Sequence, residues 1–206
     1  MGRPREFDEQ AVLEAAMQCF WHKGYEATSV RDLIDCTGIA GASLYNAFGG
    51  KRALYERALA HYVQGTIAAR IGRCAKLPPV QAIGAFFDDI LRRSLQDRDR
   101  KGCMLVNAAL GAAPRDPALQ AAVADELARI EAFFLSCVQA GQAQGAIDSR
   151  QPAQDLARHL LSVLMGLRVL ARVRPDRALL EGAAGAALAA LAPAPAPAAR
   201  VRRTGR

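Results

Sequence analysis

The side chains best able to do chemistry in this chain are few and scattered. Over residues 40–48, AGASLYNAF, Leu44 and Phe48 fall four apart on a buried face, while Ala40, Gly41, Ser43, Tyr45 and Asn46 face outward. A hydroxyl, a phenol and an amide on one small exposed face suit hydrogen bonding to phosphates and base edges better than bond making. Cys103 follows Lys101-Gly102 at a helix start, a position that stabilises a thiolate, so it is either an oxidant or electrophile sensor or a small buried apolar residue. Asn107 sits inside the apolar run Met104 to Leu110 and needs a buried partner, either a ligand or a backbone carbonyl. Phe86, Phe87, Phe133 and Phe134 either line a pocket or fill core, and Arg168 is either an anion partner in a pocket or an interface residue. No nucleophile–base pair and no Gly-rich phosphate loop is evident, and His22, His61 and His159 lie far apart. Neither a metal nor a cofactor is expected.

The elements that must position these groups read as helices throughout. Thr28-Ser29 offers hydroxyls to the first turn of a helix whose apolar stripe is Val30, Leu33 and Ile34, and Thr37-Gly38 stops it. A tight glycine turn then leads into the 40–48 helix. Two short helices so joined, the second polar outside, form a helix-turn-helix, whose second member enters the major groove of DNA. Ahead of it, Asp8 caps a helix to about His22, with Phe7 as its staple and Gly24 as its stop. Behind it, Gly49-Gly50 leads to a long helix from Lys51 to about Ala75, broken by Pro78-Pro79. Further helices are predicted at 80–95, 104–110, 117–144, 152–173 and 176–191, with Asp116 capping the third of these and Pro117 at its first position. Leu156, Leu160, Val163, Leu167 and Leu170 make a heptad-like seam, matched by Leu180, Ala184, Ala187 and Leu191 on the last helix. The final stretch, APAPAPAARVRRTGR, reads as a disordered basic tail.

At 206 residues and 51% hydrophobic, the chain can build a sizeable core, and strand signals are nearly absent. No apolar run reaches the roughly 18 residues of a membrane span. The odd count of five cysteines, without CxxC pairs, fits reduced thiols in a cytoplasm. The net charge of +7 is a poor guide to DNA binding: residues 1–57 hold seven Lys/Arg against eight Asp/Glu, and four arginines of the excess follow Ala199. Only the placement of particular basic groups can matter.

The arm GRPREFD, the segment FWHKGYEATSVRDLIDCTGI and the stretch ASLYNAFGGKRALY, with the helical body behind them, closely resemble the TetR family of bacterial transcription regulators. The resemblance is specific over residues 3–60 and only class-like beyond. It implies an all-α protein with a three-helix DNA-binding head on a larger helical ligand-binding and dimerisation body. The divisions are 1–50 for the head with its basic arm, 51–192 for the body and 193–206 for the tail. It further implies a ligand-responsive homodimeric repressor, its partners being a double-stranded DNA operator, a second copy and an unidentified small-molecule effector. Thr28, Ser29 and Arg31 would then lie near DNA. Gly41, Ala42, Ser43, Tyr45 and Asn46 would lie on the recognition helix, Tyr45 and Lys51 toward phosphates, with Arg3 and Arg5 following the backbone or a minor groove. Phe86, Phe87, Cys103, Asn107, Phe133, Phe134 and Arg168 would surround the effector. Leu156, Leu160, Val163, Leu167, Leu180, Ala184 and Leu191 would form the dimer interface. Gly41 and Ala47 depart from the longer side chains common in the family, which shifts readout to Arg31, Ser43 and Asn46. The alternatives are a thiol-switch regulator triggered at Cys103 and a helical small-molecule-binding protein or enzyme with no DNA role.

Overall fold

The structure, a computed structural model, describes residues 7–193. Arg3, Arg5 and residues 194–206 of the expected tail lie outside the described residues. Ten α-helices follow one another: α1 (Glu9–Lys23), α2 (Val30–Thr37), α3 (Gly41–Phe48), α4 (Lys51–Tyr62), α5 (Ala69–Cys74), α6 (Pro79–Gln96), α7 (Met104–Leu110), α8 (Pro117–Ala143), α9 (Ala153–Val173) and α10 (Arg177–Ala189). No strand occurs among the described residues, and no described helix is long and apolar enough to cross a membrane.

Local chemistry explains where the helices begin and end. The Asp8 carboxylate accepts from the N–H groups of Gln10 and Ala11, and Gly24 closes α1 in a backbone conformation with φ 83°. α1, α2, α3 and the first turns of α4 share a small core of Ala16, Phe20, Leu33, Leu44, Leu54 and Ala58, all at most 1% exposed. Aromatic edges finish it, with Phe20 against Tyr55 at 5.0 Å and Tyr25 against Tyr55 at 4.8 Å.

The long helix expected from Lys51 is not regular. Between α4 and α5 the chain widens into a π-helical segment, Val63–Ala68, in which Thr66 Oγ1 donates to the Tyr62 carbonyl at 2.6 Å. Such segments concentrate at functional sites. Periodicity alone did not reveal it, because one wide turn only shifts the apolar stripe by a residue.

Behind this rod α6, α8, α9 and α10 form the body. Phe86 of α6 packs on Phe133 at 5.4 Å and on Phe134 at 5.1 Å, with Phe87 on Phe134 at 5.8 Å. All four rings are buried. Of the two roles expected of them, the ring-on-ring packing favours the core, where each stabilises by roughly 1.5–3 kcal/mol. The expected dimer seam is corrected. Leu156, Leu160, Leu167, Leu180, Ala184 and Leu191 are at most 2% exposed within a single chain, and Val163 is half-buried. The six buried side chains are consumed in packing α9 on α8 and α10, so they cannot also meet a partner, while Val163 keeps part of its surface. The outer surface of α9 instead exposes Val169 and Val173, the latter 69% accessible.

Head and body are tied by charge. Asp116 caps α8 through the N–H groups of Ala118 and Leu119 and also accepts two hydrogen bonds from Arg52 of α4, at 2.6 and 2.9 Å. The Arg52 guanidinium, helped by the Leu119 N–H, holds the Asp116 carboxyl down to about 2. A depressed pKa contributes stability above the ordinary carboxylate value, and that contribution is lost as pH falls through the folded value. The thermal stability advantage of the wild type over Asp116→Asn is therefore expected to shrink as pH is lowered from about 4 to about 2. Melting curves across that window check it.

Candidate nucleic-acid interface and body cleft

The reading element is α3, presented at a fixed angle by α2. α2 is locked at its start by a capping box: Asp32 N–H donates to Ser29 Oγ at 3.1 Å, while Asp32 Oδ2 accepts from the Ser29 N–H at 2.7 Å. Lys23 from the end of α1 reaches Asp32 Oδ1 at 2.5 Å. Lys23, then the Ser29 N–H and hydroxyl, hold the Asp32 carboxyl well below the usual carboxylate range. Gly38, at φ 71°, makes the turn that a side-chain-bearing residue adopts only with strain.

Within this frame Ala42, Tyr45 and Asn46 of α3 are exposed, Ser43 is half-buried beside them, and Arg31 is exposed on the first turn of α2. Tyr45 stands 54% accessible. Its ring lies over Gly50, where an added Cβ would come within 3.1 Å of Tyr45 Cε1. Gly50, at φ 114°, thus positions the phenol as well as turning the chain. Gly41 has a similar packing reason: a Cβ there would sit 3.2 Å from Ile34 Cδ1, so the bare residue lets α3 close on α2. Lys51 opens α4 with its ammonium 4.4 Å from the centre of the Tyr25 ring.

Thr28 is a correction. It is fully buried, and its hydroxyl donates to the Gly24 carbonyl at 2.6 Å, so its side chain braces the corner between α1 and α2 and is not offered to DNA. Ser29 is exposed, yet its hydroxyl is engaged with Asp32 at 2.7 Å. Thr28→Val should lower stability by about 1 kcal/mol through the lost hydrogen bond. Denaturant unfolding measures this, and the preferred DNA sequence should not change.

In the body, the residues singled out by sequence divide. Asn107 finds its partners in the protein, donating to the Lys101 carbonyl at 2.9 Å and accepting from Arg172 at 2.8 Å. Arg168 is buried inside the protomer and is therefore not an interface residue. It donates to Ser94 Oγ at 2.8 Å and to the Gly102 carbonyl at 2.7 Å. It lines a cleft of about 440 Å³ between head and body, together with Trp21 of α1, Tyr62, Thr66 and Arg70 of the rod, and Lys101 and Gly102 of the α6–α7 loop. Trp21 meets Tyr62 edge-on at 4.9 Å, and Lys101 lies 4.8 Å over the Trp21 ring. Cys103 is buried next to this wall, where the Tyr62 hydroxyl donates to its sulfur at 3.5 Å. Burial alone would push its thiol up, but Arg168, the Tyr62 hydroxyl and the N–H groups of Val106 and Leu105 outweigh it and hold the thiol below its ordinary value. Sequence reasoning missed Trp21 and Tyr62 as cleft residues. Both carry an ordinary apolar-stripe signal, and only the crossing of α1 over the rod sets them together.

A glycine-turned pair of short helices with an exposed polar recognition face, packed on an all-helical body, defines a helix-turn-helix DNA-binding protein. Residues 12–58 match the model for bacterial regulatory proteins of the tetR family, and residues 79–187 match the tetracyclin repressor-like C-terminal domain. The chain is 34% identical over 179 residues, 85% of its own length and 92% of the relative's, to the Bacillus subtilis (strain 168) protein named uncharacterized HTH-type transcriptional regulator YezE. It is 28% identical over 173 residues, 83% of this chain and 82% of the relative, to the HTH-type transcriptional repressor ComR of Escherichia coli (strain K12). Among solved structures, a cysteine mutant of the TetR family transcriptional regulator CifR, complexed with 26-bp double-strand operator DNA, matches with a TM-score of 0.82 at 32% identity. That match covers 92% of this chain and 100% of the other. The chain belongs to the TetR family and is a DNA-binding transcriptional regulator.

Proposed function

We propose that the protein is a homodimeric repressor, released from a near-palindromic operator when a small molecule binds in its body. The observation that carries this reading is the exposed face of α3 with Arg31 beside it, held by the capping box of α2. In this reading Arg31, Ser43 and Asn46 meet base edges, with Ala42 and Gly41 allowing close approach, while Tyr45 and Lys51 meet phosphates. Arg3 and Arg5 would extend the contact along the backbone. The head would comprise residues 1–50 and the body 51–192. The relatives ComR, BdcR and DhaR, each named a transcriptional repressor, support repression over activation. In this reading the protein acts in the cytoplasm beside its operator, and no catalytic role is proposed.

The dimer would form through the outer faces of α9 and α10. Val169 and Val173 are exposed there, and an added Cβ at Gly166, Gly182 or Gly185 would meet nothing within 4 Å. Two heads would then reach successive major grooves about 34–36 Å apart. Effector binding favours a state whose heads are misplaced, which shifts the population off DNA. Selecting fragments from a randomised DNA pool with the full-length protein tests the reading. Two inverted half-sites about one helical turn apart are expected, and fragments with a single half-site would remove the dimeric reading.

A second reading rests on the Tyr62–Cys103–Arg168 contact: the same DNA role, with Cys103 as a thiol trigger. Cys103→Ser should then abolish any response of operator binding to oxidants or electrophiles, and a retained response would discard it.

A further inference from the structure

The cleft between α1 and the body holds two buried N–H groups without a hydrogen-bond acceptor among the described residues, Arg168 Nε and Trp21 Nε1. Such groups cost roughly 1–3 kcal/mol each when left unmatched, so their presence calls for a reason. Arg168 is 8% exposed, its other two nitrogens are committed to Ser94 and Gly102, its charge faces the Cys103 sulfur and the Tyr62 hydroxyl, and no carboxylate pairs with it among the described residues. Both side chains belong to the wall of one cleft, and both offer hydrogen. What they lack is an acceptor.

The rest of the wall narrows the class of that acceptor. Arg70 and Arg93 share Asp89, at 2.6 and 3.1 Å, with Arg73 and Arg92 beside it, Lys101 faces Asp99 at 3.9 Å, and Arg98 adds a further positive group to the wall. Asp97 accepts from the Gly102 N–H at 2.9 Å. The wall therefore carries a positive excess, and Arg168 is its buried member, so the missing acceptor is an anion. The positive excess is the same influence that keeps the Cys103 thiol low against burial. The Trp21 and Tyr62 rings, set edge to face at 68°, supply an apolar corner beside it. Thr66 of the π-helical segment lines the cleft between Tyr62 at the end of α4 and Arg70 of α5.

We infer that this cleft is a binding site for a small aromatic carboxylate, whose carboxylate takes the N–H groups of Arg168 and Trp21. The two oxygens are reached once the half-buried Trp21 ring turns about its side-chain bonds, and the ligand's ring then lies against Tyr62. Trp21 belongs to α1, which carries Lys23, the residue that grips Asp32 at the start of α2. Occupation of the cleft thereby acts on the helix that sets the angle of α3. The inference rests on the effector reading above and names the chemistry and place of that effector.

Trp21 is the only tryptophan in the chain, so its fluorescence reports on the site alone. Full-length protein is titrated with benzoate, phenylacetate and cyclohexanecarboxylate, and separately with benzamide and phenylacetamide. The aromatic carboxylates should give a saturable change, with the amides at least about tenfold weaker because they lack the charge. Arg168→Gln should weaken carboxylate binding at least about tenfold. Since that buried substitution can upset folding, Lys101→Gln serves as the second variant and should weaken it about two- to fivefold. No saturation by either aromatic carboxylate below about 10 mM, or amides binding equally well, overturns the inference. Operator affinity is followed in the same samples. Carboxylate binding with no change in operator affinity leaves the site standing and removes the effector reading. Release of DNA by an amide, without carboxylate binding, keeps the effector reading and removes this site.

Discussion

Arg31→Ala and Tyr45→Ala are each expected to weaken binding to the selected operator about tenfold, and together about a hundredfold. Tyr45 is 54% accessible and Arg31 is exposed, so neither side chain contributes much to the core of the head. Tyr45 is nevertheless held in place by the bare backbone of Gly50 beneath its ring, which reduces the side-chain entropy lost when it meets DNA. Each contact of this kind is worth roughly 1–3 kcal/mol. The two residues should differ in how they fail. A phosphate contact by Arg31 would show as a salt dependence of binding smaller by about one counterion in the variant, with all sequences weakened alike. A base contact would show as relaxed preference at one position of each half-site. Gel-shift or anisotropy titrations at several salt concentrations measure both, with thermal unfolding as the control. Unchanged affinity in both variants would overturn the placement of the interface.

The second large effect concerns stability, at Gly141. An added Cβ there would come within 2.5 Å of Ile147 Cδ1, 2.6 Å of Cγ1 and 3.2 Å of Cβ. Ile147 is fully buried, and its N–H, like that of Ala146, donates to the Gly141 carbonyl, so the loop leaving α8 folds back over this one spot. Rotation of Ile147 relieves its tip but not its Cβ. Gly141→Ala should therefore cost about 1–3 kcal/mol by overpacking, despite the better helix propensity of alanine. For a chain of this length that is a fall in Tm of roughly 2–4 °C per kcal/mol. Calorimetry or thermal circular dichroism reads it, while operator sequence preference should stay as in the wild type.

Much of the architecture was legible because its signals are local. Asp8, Asp116 with Pro117, and Gly24, Gly38 and Gly49 mark helix ends through backbone hydrogen bonds that involve only neighbours. The helix-turn-helix followed from the spacing of Leu33, Leu44 and Phe48, all buried as expected. The leucine seam of α9 was equally legible as an apolar stripe, and yet its partner was misjudged. An apolar stripe says that a face is covered, without saying whether another part of the same chain or a second chain covers it. The phenylalanines stayed undecided for the same reason, since aromatic residues at helical spacing serve a core and a pocket alike.

By itself, then, the sequence determined the all-helical class, the limits of the helices and the outward set on α3. Each of these depends on interactions within about one turn of the residue concerned. Tertiary structure alone decided the rest. It turned the Thr28 hydroxyl inward to Gly24, gave Ser29 to Asp32, and set Tyr45 over Gly50. It also brought Trp21, Tyr62 and Arg168, far apart along the chain, to one cleft and left two N–H groups there without acceptors among the described residues. Whether a donor is satisfied depends on which distant segment arrives beside it, and that is fixed only when the helices pack.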